Sequence, residues 1–161
     1  MLNAEKIIEY LHEIPDPEIP VIDIVELGMV NGVVINDNTY TVKITPTYSG
    51  CPAMKQIEKD IVSHLKTKGL ENVKIEMVYS PAWTTDWISA KAKEKLRVYG
   101  IAPPEKTSSD KGILFGKSKT VHCPRCNSVH TEMVSQFGST ACKAFYKCND
   151  CLEPFDYFKC I

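Results

Sequence analysis

Apolar side chains recur along this chain in two rhythms, one near every three to four residues and one every second residue. Behind Asn3, a residue suited to capping, Ile7, Ile8 and Leu11 fall on one stripe and predict a first amphipathic helix. Pro15 and Pro17 end it, and Asp16-Pro17-Glu18-Ile19-Pro20 can be neither regular helix nor central strand. After a short turn around 21–26 the period drops to two. Residues 29–35 read as a strand, Asn36-Asp37-Asn38 as a turn, and Tyr40-Thr41-Val42-Lys43-Ile44 as the returning arm of a β-hairpin. Helical spacing returns over 52–68, with Ile57, Ile61, Val62 and Leu65 on one face and Gly69 as its stop. Residues 73–78 alternate again as a strand. After Tyr79-Ser80-Pro81-Ala82-Trp83, one of Thr84, Thr85 or Asp86 is placed to cap a last helix that runs to Tyr99 and closes at Gly100.

The order α-β-β-α-β-α predicts an α+β domain over 1–102, a sheet covered on one side by helices. Residues 103–118 have linker composition, with Ile113-Leu114-Phe115 placed to dock on the second, C-terminal unit. In that unit, over 119–161, the short runs 131–135, 143–146 and 155–158 read as a β-ribbon.

Composition narrows the class. Of 161 residues 43% are hydrophobic and 24% charged, as in globular chains, and the formal net charge is −1. Nothing in that balance points to nucleic acid or an anionic membrane surface. Asp23 and Glu26 interrupt the most apolar region, so no membrane span is expected, and the scattered charges of 1–15 do not form a signal peptide. A cytoplasmic protein is the expectation.

Seven cysteines, all but Cys51 lying from Cys123 onward, read in such a chain as metal ligands rather than disulfides. Cys123-Pro124-Arg125-Cys126 and Cys148-Asn149-Asp150-Cys151 are two Cys-x-x-Cys knuckles separated by 21 residues. Each tight knuckle offers two sulfurs to one ion, and two knuckles complete a tetrahedral four-sulfur site. This predicts a zinc ribbon in which the metal supplies much of the folding free energy; rubredoxin-like iron or an iron–sulfur cluster suits the same ligands. His122 and His130 flank the first knuckle as alternative ligands or as ordinary ribbon residues. Cys142 reads as a small buried residue and Cys160 as a terminal thiol.

Cys51 stands apart. It follows Thr47-Tyr48-Ser49-Gly50, and Pro52 fits the first position of a helix. At a helix N-terminus the backbone N–H groups and the dipole favour thiolate over thiol. The other reading is a small side chain buried under a tight turn. Asp16 and Glu18 put two carboxylates on a proline-stiffened loop that could face Cys51, and Thr47 precedes it at the end of a strand; such a set could hold a metal transiently. Alternatively Asp16 caps the turn before Val21 and Thr47 satisfies its own loop.

Asp16-Pro17-Glu18-Ile19-Pro20, Leu27-Gly28-Met29-Val30 and Thr47-Tyr48-Ser49-Gly50-Cys51-Pro52, in this order, resemble the metal–sulfur cluster assembly family over about residues 4–100. With Ser80-Pro81-Ala82-Trp83-Thr84-Thr85-Asp86-Trp87 and Ser135-Gln136-Phe137-Gly138-Ser139-Thr140-Ala141-Cys142-Lys143, the whole chain resembles the PaaD family of accessory proteins of the bacterial phenylacetyl-CoA epoxygenase system. The resemblance implies a non-catalytic factor that helps assemble iron–sulfur or di-iron centres. Cys51 would be the functional thiol, Asp16, Glu18 and Thr47 would frame its loop, and the cargo would be transient iron or a cluster. The implied partners are subunits of the epoxygenase, either its di-iron oxygenase or its Fe–S and flavin reductase. One motif cysteine supplies one ligand, so a cluster there needs a homo-oligomer or ligands from the client. A structural or regulatory subunit without metal delivery is the alternative. A nucleic-acid-binding ribbon is disfavoured by charge, and no paired general acid and base marks an enzyme.

Overall fold

The computed structural model describes residues 2–105 and 120–159. The expectations for Ile113–Phe115, for most of the linker and for Cys160 lie outside the described residues. The chain divides into two compact units, Met1–Trp83 and Thr84–Ile161.

In the first unit, helix α1 (Ala4–Leu11) starts at Asn3, whose side chain accepts the Lys6 N–H, and buries Ile7 and Leu11. Strands β1 (Val30–Asn36) and β2 (Thr39–Ile44) form the expected antiparallel hairpin, with Asp37 at φ 48° in its two-residue loop. Helix α2 (Met54–Thr67) buries Met54, Ile57, Ile61 and Leu65, and Gly69 turns the chain at φ 88° so that the Leu70 N–H returns to the Leu65 carbonyl. Strand β3 (Val73–Met77) then lies parallel to β2, giving the order β1-β2-β3. Register places Val33, Val42 and Ile75 on one face, and Val42 and Ile44 are fully buried there. The opposite face carries Lys43 and Glu76, which pair at 3.3 Å. Both helices contact the sheet and each other, so one face is covered, as the α+β expectation required.

Two of the sequence motifs meet in this unit. The buried Trp83 donates its Nε1–H to the Leu27 carbonyl at 3.0 Å, next to Gly28 at φ 78°. The indole therefore pins the Leu27-Gly28-Met29 turn that feeds β1.

In the second unit, Thr84 caps a single 3₁₀ turn (Thr85–Trp87), and helix α3 (Ala90–Tyr99) begins anew at Ser89, whose hydroxyl accepts the Ala92 N–H. The cap is therefore Ser89 rather than one of residues 84–86. Gly100 closes α3 at φ 98°, and β4 (Ile101–Ala102) leads on from it. β4 pairs in parallel with β7 (Pro154–Phe158), inside the ribbon sheet of order β4-β7-β6-β5, with β6 at Lys143–Cys148 and β5 at Thr131–Ser135. β4, which lies in the part of the chain read from sequence as the end of the first domain, thus shares a sheet with the ribbon. Ala102, Val121, Ala144, Tyr146, Phe155 and Tyr157 pack around Cys123 and Cys148 as the core of this unit. No helix among the described residues is long and apolar enough to cross a membrane.

Candidate functional site

Two sites are built by these units. In the first, β2 ends at Ile44 and the chain makes a turn in which the Cys51 N–H donates to the Tyr48 carbonyl at 3.3 Å. Gly50 holds φ 78° at the third position of that turn, as a type II turn requires. Pro52 and Ala53 continue as turn rather than helix: Met54 N–H donates to the Cys51 carbonyl, and Ala53 caps α2 without a side-chain bond. Cys51 is only 8% exposed. Burial pushes its thiol up from the ordinary range; the Ala53 amide opposes the rise, the Glu18 carboxylate adds to it, and the Tyr48 and Thr47 side chains oppose it. Of the two readings of Cys51, the buried side chain under a tight turn is the one the structure favours, because loss of water around the sulfur outweighs the donors that favour a thiolate.

The structure brings Glu18, Thr47 and Cys51 together and adds Tyr48, which sequence reasoning passed over. The signal was there: Tyr48 and Cys51 are first and fourth residues of the Gly50 turn. Asp16 is buried and shapes the loop, its Oδ1 accepting the N–H groups of Glu18 at 2.9 Å and Ile19 at 2.8 Å. The arrangement offers one covered sulfur, one half-buried carboxylate and two hydroxyls. Among the described residues, the group of His, Cys, Asp and Glu side chains that converges as a metal cage is elsewhere.

That cage is the second site. The sulfurs of Cys123, Cys126, Cys148 and Cys151 lie within 4.8 Å of one another, with Cys123 to Cys151 at 3.7 Å and Cys126 to Cys148 at 3.6 Å. Ligands about 2.3 Å from a tetrahedral ion stand about 3.8 Å apart, so the four sulfurs fit one ion. The knuckles are built alike. Asn127 N–H donates to the Cys123 carbonyl, Cys123 N–H to Ser128, and Cys148 N–H to Glu153, all at 2.9 Å. The Cys151 N–H points at the Cys148 sulfur at 3.5 Å and, as the largest influence, draws that thiol down to about 7. Burial pushes Cys123 up. His122 and His130 face Glu105 at 2.8 Å and Asp150 at 3.2 Å respectively, outside the sulfur cage. Cys142 is buried, its sulfur 3.1 Å from the Thr140 hydroxyl.

A small α+β unit with a covered motif thiol is thus joined to a ribbon whose four cysteines form a metal-binding module. Family models agree: "Iron-sulfur cluster assembly protein" matches residues 4–77 and "PaaD zinc beta ribbon domain" matches 107–159. The chain is 50% identical over 151 residues to an Escherichia coli protein named as a putative subunit of 1,2-phenylacetyl-CoA epoxidase, covering 94% of this chain and 89% of that one. The chain belongs to the PaaD family. A Porphyromonas gingivalis "Fe-S protein maturation auxiliary factor" is 35% identical over 96 residues, 58% of this chain and 90% of its own. Among solved structures, a Bacillus anthracis domain of unknown function, DUF59, superposes with a TM-score of 0.55 at 31% identity, covering 58% of this chain and 90% of that one.

Proposed function

We propose that this protein is an accessory factor of a phenylacetyl-CoA epoxidase that assists assembly of an iron–sulfur or di-iron centre on one of its subunits. The observation that carries this reading is the continuous likeness, through both units, to a protein named as a subunit of that enzyme, while its first unit is like named Fe–S maturation factors. Cys51 serves as the functional thiol, and the four ribbon cysteines hold a structural zinc ion. The ribbon docks on the client.

Iron or a cluster is the cargo here, not a resident cofactor. In the free protein the Cys51 sulfur keeps its proton. An arriving iron ion displaces that proton to solvent, because a ligating cysteine must be deprotonated, and the negative charge of the neighbouring Glu18 carboxylate favours the cation. The Thr47 and Tyr48 side chains, which favour charge on the sulfur, support the thiolate once it forms. One sulfur and one carboxylate leave coordination open, so the client completes the ligand set and can draw the cargo away.

The test is anaerobic co-expression of the epoxidase subunits with wild type or Cys51→Ser. The variant is expected to fold, retain its ribbon metal and leave the client with less than about a tenth of its normal iron and sulfide. Normal iron in the client would sink delivery through Cys51. The word "subunit" in the Escherichia coli protein's name favours a second reading, a stable structural subunit; Cys51→Ser would then co-purify at fixed stoichiometry with an iron-replete client.

A further inference from the structure

Both knuckles end on the same backbone conformation. The residue after the second cysteine is left-handed in each, Asn127 at φ 62° and Leu152 at φ 63°. Asparagine enters this region readily, whereas a leucine there sets its Cβ against its own carbonyl oxygen. Leu152 gains no burial in exchange, since 66% of it is exposed. An apolar side chain is thus held in water by a strained backbone, where asparagine fills the matching position of the other knuckle. Strain of this kind concentrates at functional positions.

The surroundings tie down the loop that carries that side chain. Arg125 of the first knuckle pairs with Glu153, the residue after Leu152. Asn149 N–H donates to the His130 carbonyl at 2.8 Å, and the Ser128 hydroxyl donates to Asp150. These bonds tie the second knuckle to the 128–130 turn, which carries a second apolar residue, Val129, 47% exposed. The tip thus carries two exposed apolar side chains among paired polar groups, the composition of an interface anchor and its rim.

Its binding partner follows from which relatives carry the ribbon. The Porphyromonas gingivalis maturation factor uses 90% of its length to match 96 residues of this chain, too few to run through both units, whereas the likeness to the named epoxidase subunit covers 94% of the chain. The ribbon therefore goes with the epoxidase rather than with Fe–S maturation in general. We infer that Leu152 is the anchor by which the ribbon tip seats in an apolar pocket on an epoxidase subunit, an inference that rests on the epoxidase reading above.

The test compares zinc-loaded full-length wild type with Leu152→Asn, which copies the first knuckle, and Leu152→Gly, which frees the backbone. Each is titrated calorimetrically into the purified epoxidase subunits. Both variants are expected to keep one metal per ribbon, to melt no lower than wild type or about 2–4 °C higher, and to bind the subunit about tenfold or more weakly. Wild-type affinity in both variants overturns the inference, as does a melting point several degrees lower, which would make Leu152 a packing residue. A wild type that binds none of the subunits overturns the epoxidase reading itself, and the inference with it.

Discussion

Cys51 shows how a single residue's chemistry is decided by what folds over it. The sequence places its sulfur near a helix start, which argues for a thiolate; the folded chain removes water and brings up the Glu18 carboxylate from a loop thirty-odd positions away, which argues more strongly for the thiol. Because the folded pKa lies above the unfolded one, this group favours the folded state below the ordinary thiol range, and that contribution disappears as pH rises through the folded value. Alkylation of the Cys51 peptide, followed by mass spectrometry at pH 8, is accordingly expected to be at least several-fold slower in the native chain than in the urea-unfolded one. Equal rates would show the sulfur to be open and unperturbed. Asp16 shows the same dependence on the fold. Its identity was legible as a feature of the loop, but its use as an acceptor for the Glu18 and Ile19 amides depends on the backbone path between the two prolines.

At the level of elements, the sequence was legible wherever period and punctuation agreed. The hairpin over 30–44, the buried face of α2 and the Gly69 and Gly100 stops follow from alternation, helical spacing and left-handed glycine. The two knuckles were legible because paired sulfurs need that spacing. What escaped was short or non-periodic: β4 has two residues, and the break between the 3₁₀ turn and α3 lies in a stretch where four candidate caps follow one another from Thr84 to Ser89. Ser89 wins because its extended backbone aims the hydroxyl at the Ala92 N–H, 3.0 Å away. Replacing Ser89 by Ala is expected to cost about 1 kcal/mol in urea unfolding, and replacing it by Gly only a few tenths. A loss below about 0.3 kcal/mol for the alanine variant would mean that the cap bond is not holding the helix.

For the whole molecule, the two units are held together internally by different means. The first buries Ile7, Leu11, Ile44, Ile57, Ile61 and Leu65 almost completely and needs no ion. The second gathers its core around two of the four ribbon cysteines. Removing metal with a chelator is expected to expose four additional reactive thiols per chain and to melt the ribbon strands, while the helical signal of α1 and α2 persists. A single cooperative loss of all structure would contradict that independence. One topological detail changes how the chain can be divided. Because β4 is laid down before the 106–119 stretch yet hydrogen-bonds to β7 beyond it, the ribbon does not begin where its cysteines begin. Cutting the gene just ahead of the matched ribbon segment at 107 would leave β7 without its β4 partner and α3 on the wrong side of the cut. The second module reaches back well ahead of its matched family segment, and a swap between relatives preserves both only if the splice falls at the Trp83–Thr84 junction.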